Sequence, residues 1–138
     1  MNDHFQFTDS IFEKQFANCT FNPSLFSHEA HLRLAWIHIT KYGITEALQN
    51  IQSQLLTFVM HVGAHEKYNK TLTIAATKAV YHFTLKSTAT NFHGFITEFP
   101  RLQYNFKKLM ETHYSINIFN SENAKQTYLV PDLLPFDC

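Results

Sequence analysis

An all-α fold is predicted: a compact single-domain helical bundle of about five to seven helices, with an extended C-terminal strap. Three observations carry the prediction. Apolar residues recur at helical spacing, most clearly Leu48, Ile51, Leu55, Phe58, Val59 and Val62. Three Gly and four Pro in 138 residues leave little for β-turns, so a many-stranded sheet is disfavoured. Cap residues and breakers also stand at intervals that suit helices.

Taken in order, residues 8–18 predict a short first helix with Thr8 or Asp9 as N-cap and Ile11, Phe12 and Phe16 on its apolar edge. Asn22-Pro23 breaks the chain, and Ser27 caps a second helix over about 28–41 that ends at Gly43. The third, about 45–62, is stopped by Gly63. A polar loop over 64–70 leads to a fourth helix over about 71–87, carrying Ile74, Ala75, Ala79, Tyr81, Phe83 and Leu85. Asn91 caps a fifth that ends before Pro100. Residues 101–112 form a sixth, and Ser121-Glu122-Asn123-Ala124 reads as the N-terminus of a seventh. The apolar tail from Tyr128 to Phe136 is extended and reads as the strap. With no linker, repeat or low-complexity segment, residues 1–138 read as one domain.

Composition narrows the function classes. Lys+Arg and Asp+Glu balance at 11 each, so no overall field draws the chain to nucleic acid or an anionic membrane. Charged residues are only 16%, while 14 Phe give the chain a large apolar store to bury, either internally or in a homodimer. Met1-Asn2-Asp3-His4 has no basic n-region and no apolar run reaches a membrane span, so a cytoplasmic protein is expected. Cys19 and Cys138 form neither a disulfide framework nor a zinc-ligand pair. No P-loop, dinucleotide fingerprint or nucleophile elbow occurs.

The chemistry concentrates on the second helix. His28 and His31 lie one turn apart, a spacing that can aim two ring nitrogens at one divalent metal, and His38 follows on the same stripe. A complete site needs further ligands, with His38, His65, Glu66, His82 and His113 as candidates. The spacing is not His-Glu-x-x-His, so the zincin geometry fails. Arg33, set among Leu32, Leu34, Ala35 and Trp36, offers a fork for an anionic ligand; the alternative is an ion pair with Glu29 or Glu66. Thr71, Ala75, Lys78 and His82 form a second polar stripe at i, i+4, i+7 and i+11. Tyr68, Asn69 and Thr71 stand where a loop enters a helix, a place for anion binding or for ordinary capping.

The chain resembles an uncharacterised family of small helical bacterial proteins. The resemblance rests on the His28-Glu29-Ala30-His31-Leu32-Arg33 helix, the Lys67-Tyr68-Asn69-Lys70-Thr71-Leu72-Thr73 segment and the Pro131-Asp132-Leu133-Leu134-Pro135 ending. It implies no activity. Many family members carry His at the position of Asn69, so this chain departs from a three-histidine pattern there.

The resulting expectation is an internal polar pocket for a small anionic molecule, with a metal as candidate cofactor. His28, His31, Arg33 and His82 would do the chemistry, Tyr68, Asn69, Thr71 and Lys78 would bind the ligand, and His28 and His31 would hold the metal. His28 or His31 would be the general base and Arg33 the orienting group. The alternative is a non-catalytic interaction or structural protein, a homodimer whose buried histidines satisfy core hydrogen bonds.

Overall fold

The structure, a computed structural model, describes residues 3–136. Met1, Asn2 and Cys138, which bear on the expectations about targeting and disulfides, lie outside the described residues. Among the described residues there are eight α-helices, three short 3-10 turns and no strand, so the fold is all-α. No helix among them is long and apolar enough to cross a membrane. The contacts gather into two compact units, Met1–Tyr68 and Asn69–Cys138.

The first unit holds α1 (Asp9–Ala17), α2 (His28–Tyr42) and α3 (Ile44–His61). Thr8 caps α1 by accepting from the Ile11 N–H, and Ser27 caps α2 by accepting from the Ala30 N–H. From Leu32 to Ile39 every residue of α2 is buried, as expected of a helix with apolar side chains on nearly every face. Gly43, at φ +86°, separates α2 from α3 in a conformation that L side chains rarely adopt. Helix α3 buries Ala47, Ile51, Leu55 and Phe58, while Leu56, Met60 and Val62 are exposed. The predicted apolar period is therefore right at its centre, and Val62 falls past the helix end.

Aromatic rings fill this unit. Phe16 stacks on Phe58 at 4.6 Å between centroids, and Phe12 meets Phe21 edge-on at 5.0 Å. Phe12, Phe16, Phe21 and Phe58 are all at most 2% exposed, each burial stabilising the unit by about 1.5–3 kcal/mol.

The turn after α1 contains Cys19 in the left-handed region, at φ 63°. Its N–H donates to Phe16 O and the Thr20 N–H donates to Gln15 O, the bond pattern that usually selects glycine at this position. A Cβ here costs about 1–2 kcal/mol, partly offset in any glycine variant by the greater freedom of the unfolded chain. Cys19→Gly is accordingly expected to raise the unfolding free energy by roughly 0.5–1 kcal/mol, read as a higher urea midpoint. An unchanged or lower midpoint would show that the left-handed residue costs the native turn nothing.

The second unit holds α4 (Lys70–Thr84), α5 (Phe92–Glu98), α6 (Arg101–Tyr104), α7 (Phe106–Glu111) and α8 (Glu122–Gln126). Asn69, Asn91 and Ser121 cap α4, α5 and α8 by accepting from the N–H groups of Leu72, Gly94 and Ala124. Helix α4 ends at Thr84, short of the predicted 87, and leaves Leu85 60% exposed. The predicted sixth helix is two, broken at Asn105.

The tail is the expected strap, laid on its own unit. The Leu133 N–H donates to His113 O at 3.0 Å, and Tyr114 Oη donates to Leu129 O at 2.8 Å. Asp132 accepts from the Ser115 N–H at 3.0 Å and from its hydroxyl, and these bonds hold the Asp132 carboxyl below its ordinary range.

Candidate functional site

Arg33 proves to be a structural centre of the first unit. Its Nε and Nη2 donate to Asp9 Oδ1 at 3.1 and 2.8 Å. Nη2 also donates to Phe7 O at 2.9 Å, and Nη1 donates to His4 O at 2.7 Å and to His4 Nδ1 at 3.2 Å. A guanidinium carries five N–H donors, and these five bonds use them all. The group also lies over the Phe12 ring, 4.8 Å from its centroid. No donor is left for a substrate, which corrects the expectation that Arg33 orients an anion.

The ion-pair alternative for Arg33 holds, with a different acid from Glu29 and Glu66. Its partner is Asp9, because Glu29 is taken by His4, whose Nε2 lies 2.9 Å from Glu29 Oε1. Because Arg33 can only donate, His4 Nδ1 accepts, and that leaves Nε2 to donate to Glu29. His4, buried to 0% exposure, thus joins the N-terminal segment to α2. No local pattern signals this role, since His4 and Arg33 are 29 residues apart.

The histidines of α2 differ sharply in environment. His28, the first residue of the helix, is exposed. His31 is half-buried beside the Phe26 ring, 5.8 Å between centroids, and its Nε2 is sealed from solvent without a hydrogen-bond partner. Burial, with a smaller contribution from the His28 charge, pushes its pKa down to about 4. His38 is fully buried and accepts from Asn50 Nδ2 at 3.3 Å on Nδ1, while its Nε2 has no partner. Burial is also the main cause of its lowered pKa. Among the described residues, no group of three or more His, Cys, Asp or Glu is gathered as a metal site. His28 and His31 therefore form no such group with His38, His65, Glu66, His82 or His113.

The polar stripe of α4 is covered by the chain's own C-terminal segment. Thr71 Oγ1 donates to Thr127 O at 2.8 Å and accepts from the Leu129 N–H at 3.0 Å. Lys78 Nζ sits 5.4 Å from the centre of the Tyr128 ring. Asn69, 6% exposed, accepts from Leu72 N with Oδ1 and donates from Nδ2 to Ile118 O at 2.8 Å. Asn69 and Thr71 thus anchor the second unit rather than face a ligand, the capping alternative for that segment. Tyr68, half-buried, closes the first unit just after the 3-10 turn His65–Lys67.

His82 lies in different surroundings. With Ala79, Phe83, Lys86, Arg101, Leu109, Thr112, His113, Leu134, Pro135 and Phe136 it lines a cavity of about 450 Å³ inside the second unit. Ala79, Phe83 and Leu109 are buried, whereas Lys86 and Arg101 are exposed, so the cavity runs from a cationic rim to an apolar floor. One wall is the strap, fixed by His113: its Nδ1 donates to Leu134 O at 2.6 Å and its ring stacks on Phe136 at 4.1 Å. Among the described residues, no Asp or Glu lines the cavity, and neither Lys86 nor Arg101 has an ion-pair partner. A smaller cavity of about 320 Å³ in the same unit is lined by both Lys107 and Glu111 and so lacks this one-sided charge.

Of the expected site residues, only His82 belongs to this cavity. Sequence spacing does not single out Lys86 or Arg101, and it offers His113 only as a metal-ligand candidate. They meet because α4, α6 and the strap converge, which no local spacing encodes. Set against known proteins, the chain matches no family model, no curated protein and no solved structure.

Proposed function

We propose that the protein binds a small anionic molecule in the second-unit cavity, with Lys86 and Arg101 as the charge-bearing contacts and His82 and His113 as further polar groups. The observation that carries this reading is the one-sided lining: among the described residues, two cations and two imidazoles with no carboxylate among them. Cations without an ion-pair partner at a concave, partly apolar site favour an anion over water, and a guanidinium can grip a carboxylate or phosphate with two parallel bonds. The site lies between α4 and the strap instead of on the histidine helix, while the class of ligand expected from the sequence is kept.

The test is titration with a panel of carboxylates and phosphates, followed by isothermal calorimetry and by NMR of the His82 and His113 ring protons. Saturable binding is expected, weakened about tenfold or more in Lys86→Ala/Arg101→Ala, since one lost charge-assisted contact is worth about 1.5–3 kcal/mol. Both side chains are exposed, so the double variant should fold as the parent does. Binding equal to that of the parent, or no saturable binding of any anion, would overturn the reading.

A further inference from the structure

We infer that the anion carries an apolar tail, aliphatic or aromatic, and enters tail-first, with its headgroup held at the rim by Lys86 and Arg101. This rests on the anion-binding reading above and adds the ligand class and its orientation. The argument is the polarity of the cavity itself. Its charges stand on exposed residues, whereas Ala79, Phe83 and Leu109 are 3%, 9% and 7% exposed. A small inorganic anion would satisfy the rim and leave the apolar part of the cavity unfilled.

The strap points the same way. Leu134 lines the cavity yet is 53% exposed, an apolar side chain standing over open space. A tail laid against the already buried Phe83–Leu109 floor would cover the exposed Leu134 side chain. The imidazole of His113 is already committed through Nδ1 to Leu134 O and through its face to Phe136, so it shapes the strap wall.

A homologous series separates this inference from the reading beneath it. Acetate, hexanoate and decanoate, inorganic phosphate and neutral decanol are titrated into the full chain by calorimetry, each below its aggregation limit. Affinity is expected to rise about two- to fourfold per methylene from hexanoate to decanoate, since each buried methylene contributes roughly 0.8 kcal/mol at best. Decanol is expected to bind at least tenfold more weakly than decanoate. Leu134→Ala, at an exposed position, should weaken decanoate several-fold and leave phosphate unchanged.

Acetate or phosphate binding as tightly as decanoate would overturn the tail and leave the anion site standing. Decanol matching decanoate, with Lys86→Ala/Arg101→Ala without effect, would remove the anion site itself.

Discussion

Arg33→Ala should lower the unfolding free energy by about 3–5 kcal/mol, the range for removing one partner of a buried charged network. The loss exceeds that of an ordinary surface pair because Arg33 is 4% exposed and bonds to three separate places in the N-terminal segment. Without it, the Phe7 carbonyl and the Nδ1 of His4 lose their donor, while the His4 carbonyl keeps only the Phe7 N–H, and each buried acceptor so orphaned costs about 1–3 kcal/mol unless water reaches it. Asp9→Ala should cost much less, about 1 kcal/mol, because Asp9 stands at an exposed position where water can take up the Arg33 donors it releases. Arg33→Lys should recover little, since an ammonium cannot fill a planar five-donor arrangement. Urea unfolding of the three variants checks the order. An Arg33→Ala midpoint close to that of Asp9→Ala would show that the network contributes little. Where Arg33→Ala remains folded, its affinity for anions should equal that of the parent, which separates a structural arginine from one that orients a substrate.

Acid should weaken the fold well before the carboxylates titrate. An unfolded histidine titrates near 6.5, whereas burial holds His31 at about 4 in the native state. Between those values the unfolded chain binds a proton that the native chain refuses. The stabilisation is therefore complete above about pH 6.5, declines as pH falls and is gone below about 4. From His31 alone the loss between pH 7.5 and 5 is about 2 kcal/mol, and the full gap corresponds to about 3 kcal/mol. His38 adds in the same direction, since its burial also lowers its pKa.

Glu13 acts in a lower window. Burial alone would raise its pKa, but hydrogen bonds from Lys41 and Tyr42 hold it below the ordinary value, so its contribution is lost only as pH falls through the carboxylate range. His31→Phe should flatten the decline between pH 7.5 and 5 and leave neutral stability equal or higher, because it removes a sealed, unpartnered nitrogen. Urea midpoints at pH 7.5, 6 and 5 measure both. An equally steep decline in His31→Phe would show that another group carries the acid sensitivity.

The helices are legible in the sequence where a cap and a period agree. Ser27, Asn91 and Ser121 read as N-caps from their residue types alone, Thr8 is one of two candidates with Asp9, and all four accept the expected backbone hydrogen bond. The break at Asn105 is not legible, because Leu102, Phe106, Leu109 and Met110 keep a helical period across it and are all buried. Polar residues in the core declare that they need partners, but the partners lie beyond the reach of local spacing. Arg33 finds Asp9 at 24 residues' separation and Thr71 finds Thr127 at 56. The Pro131-Asp132-Leu133-Leu134-Pro135 ending stands out as a motif. Its physical meaning is the anchoring of Asp132 to Ser115, Leu133 to His113 and Leu134 to the cavity wall.

The backbone bond from Leu133 to His113 carries a practical consequence. It belongs to a segment outside any helix, with exposed side chains at Leu133, Leu134 and Pro135, the setting in which local opening is frequent and amide protons exchange early. Because the same segment walls the cavity, a molecule lodged there would hold it closed, and the Leu133 amide would then exchange more slowly while those deep in α2 kept their rates. Deuterium uptake at that one amide would therefore report occupancy without any assay for turnover, whatever the chemistry of the molecule bound.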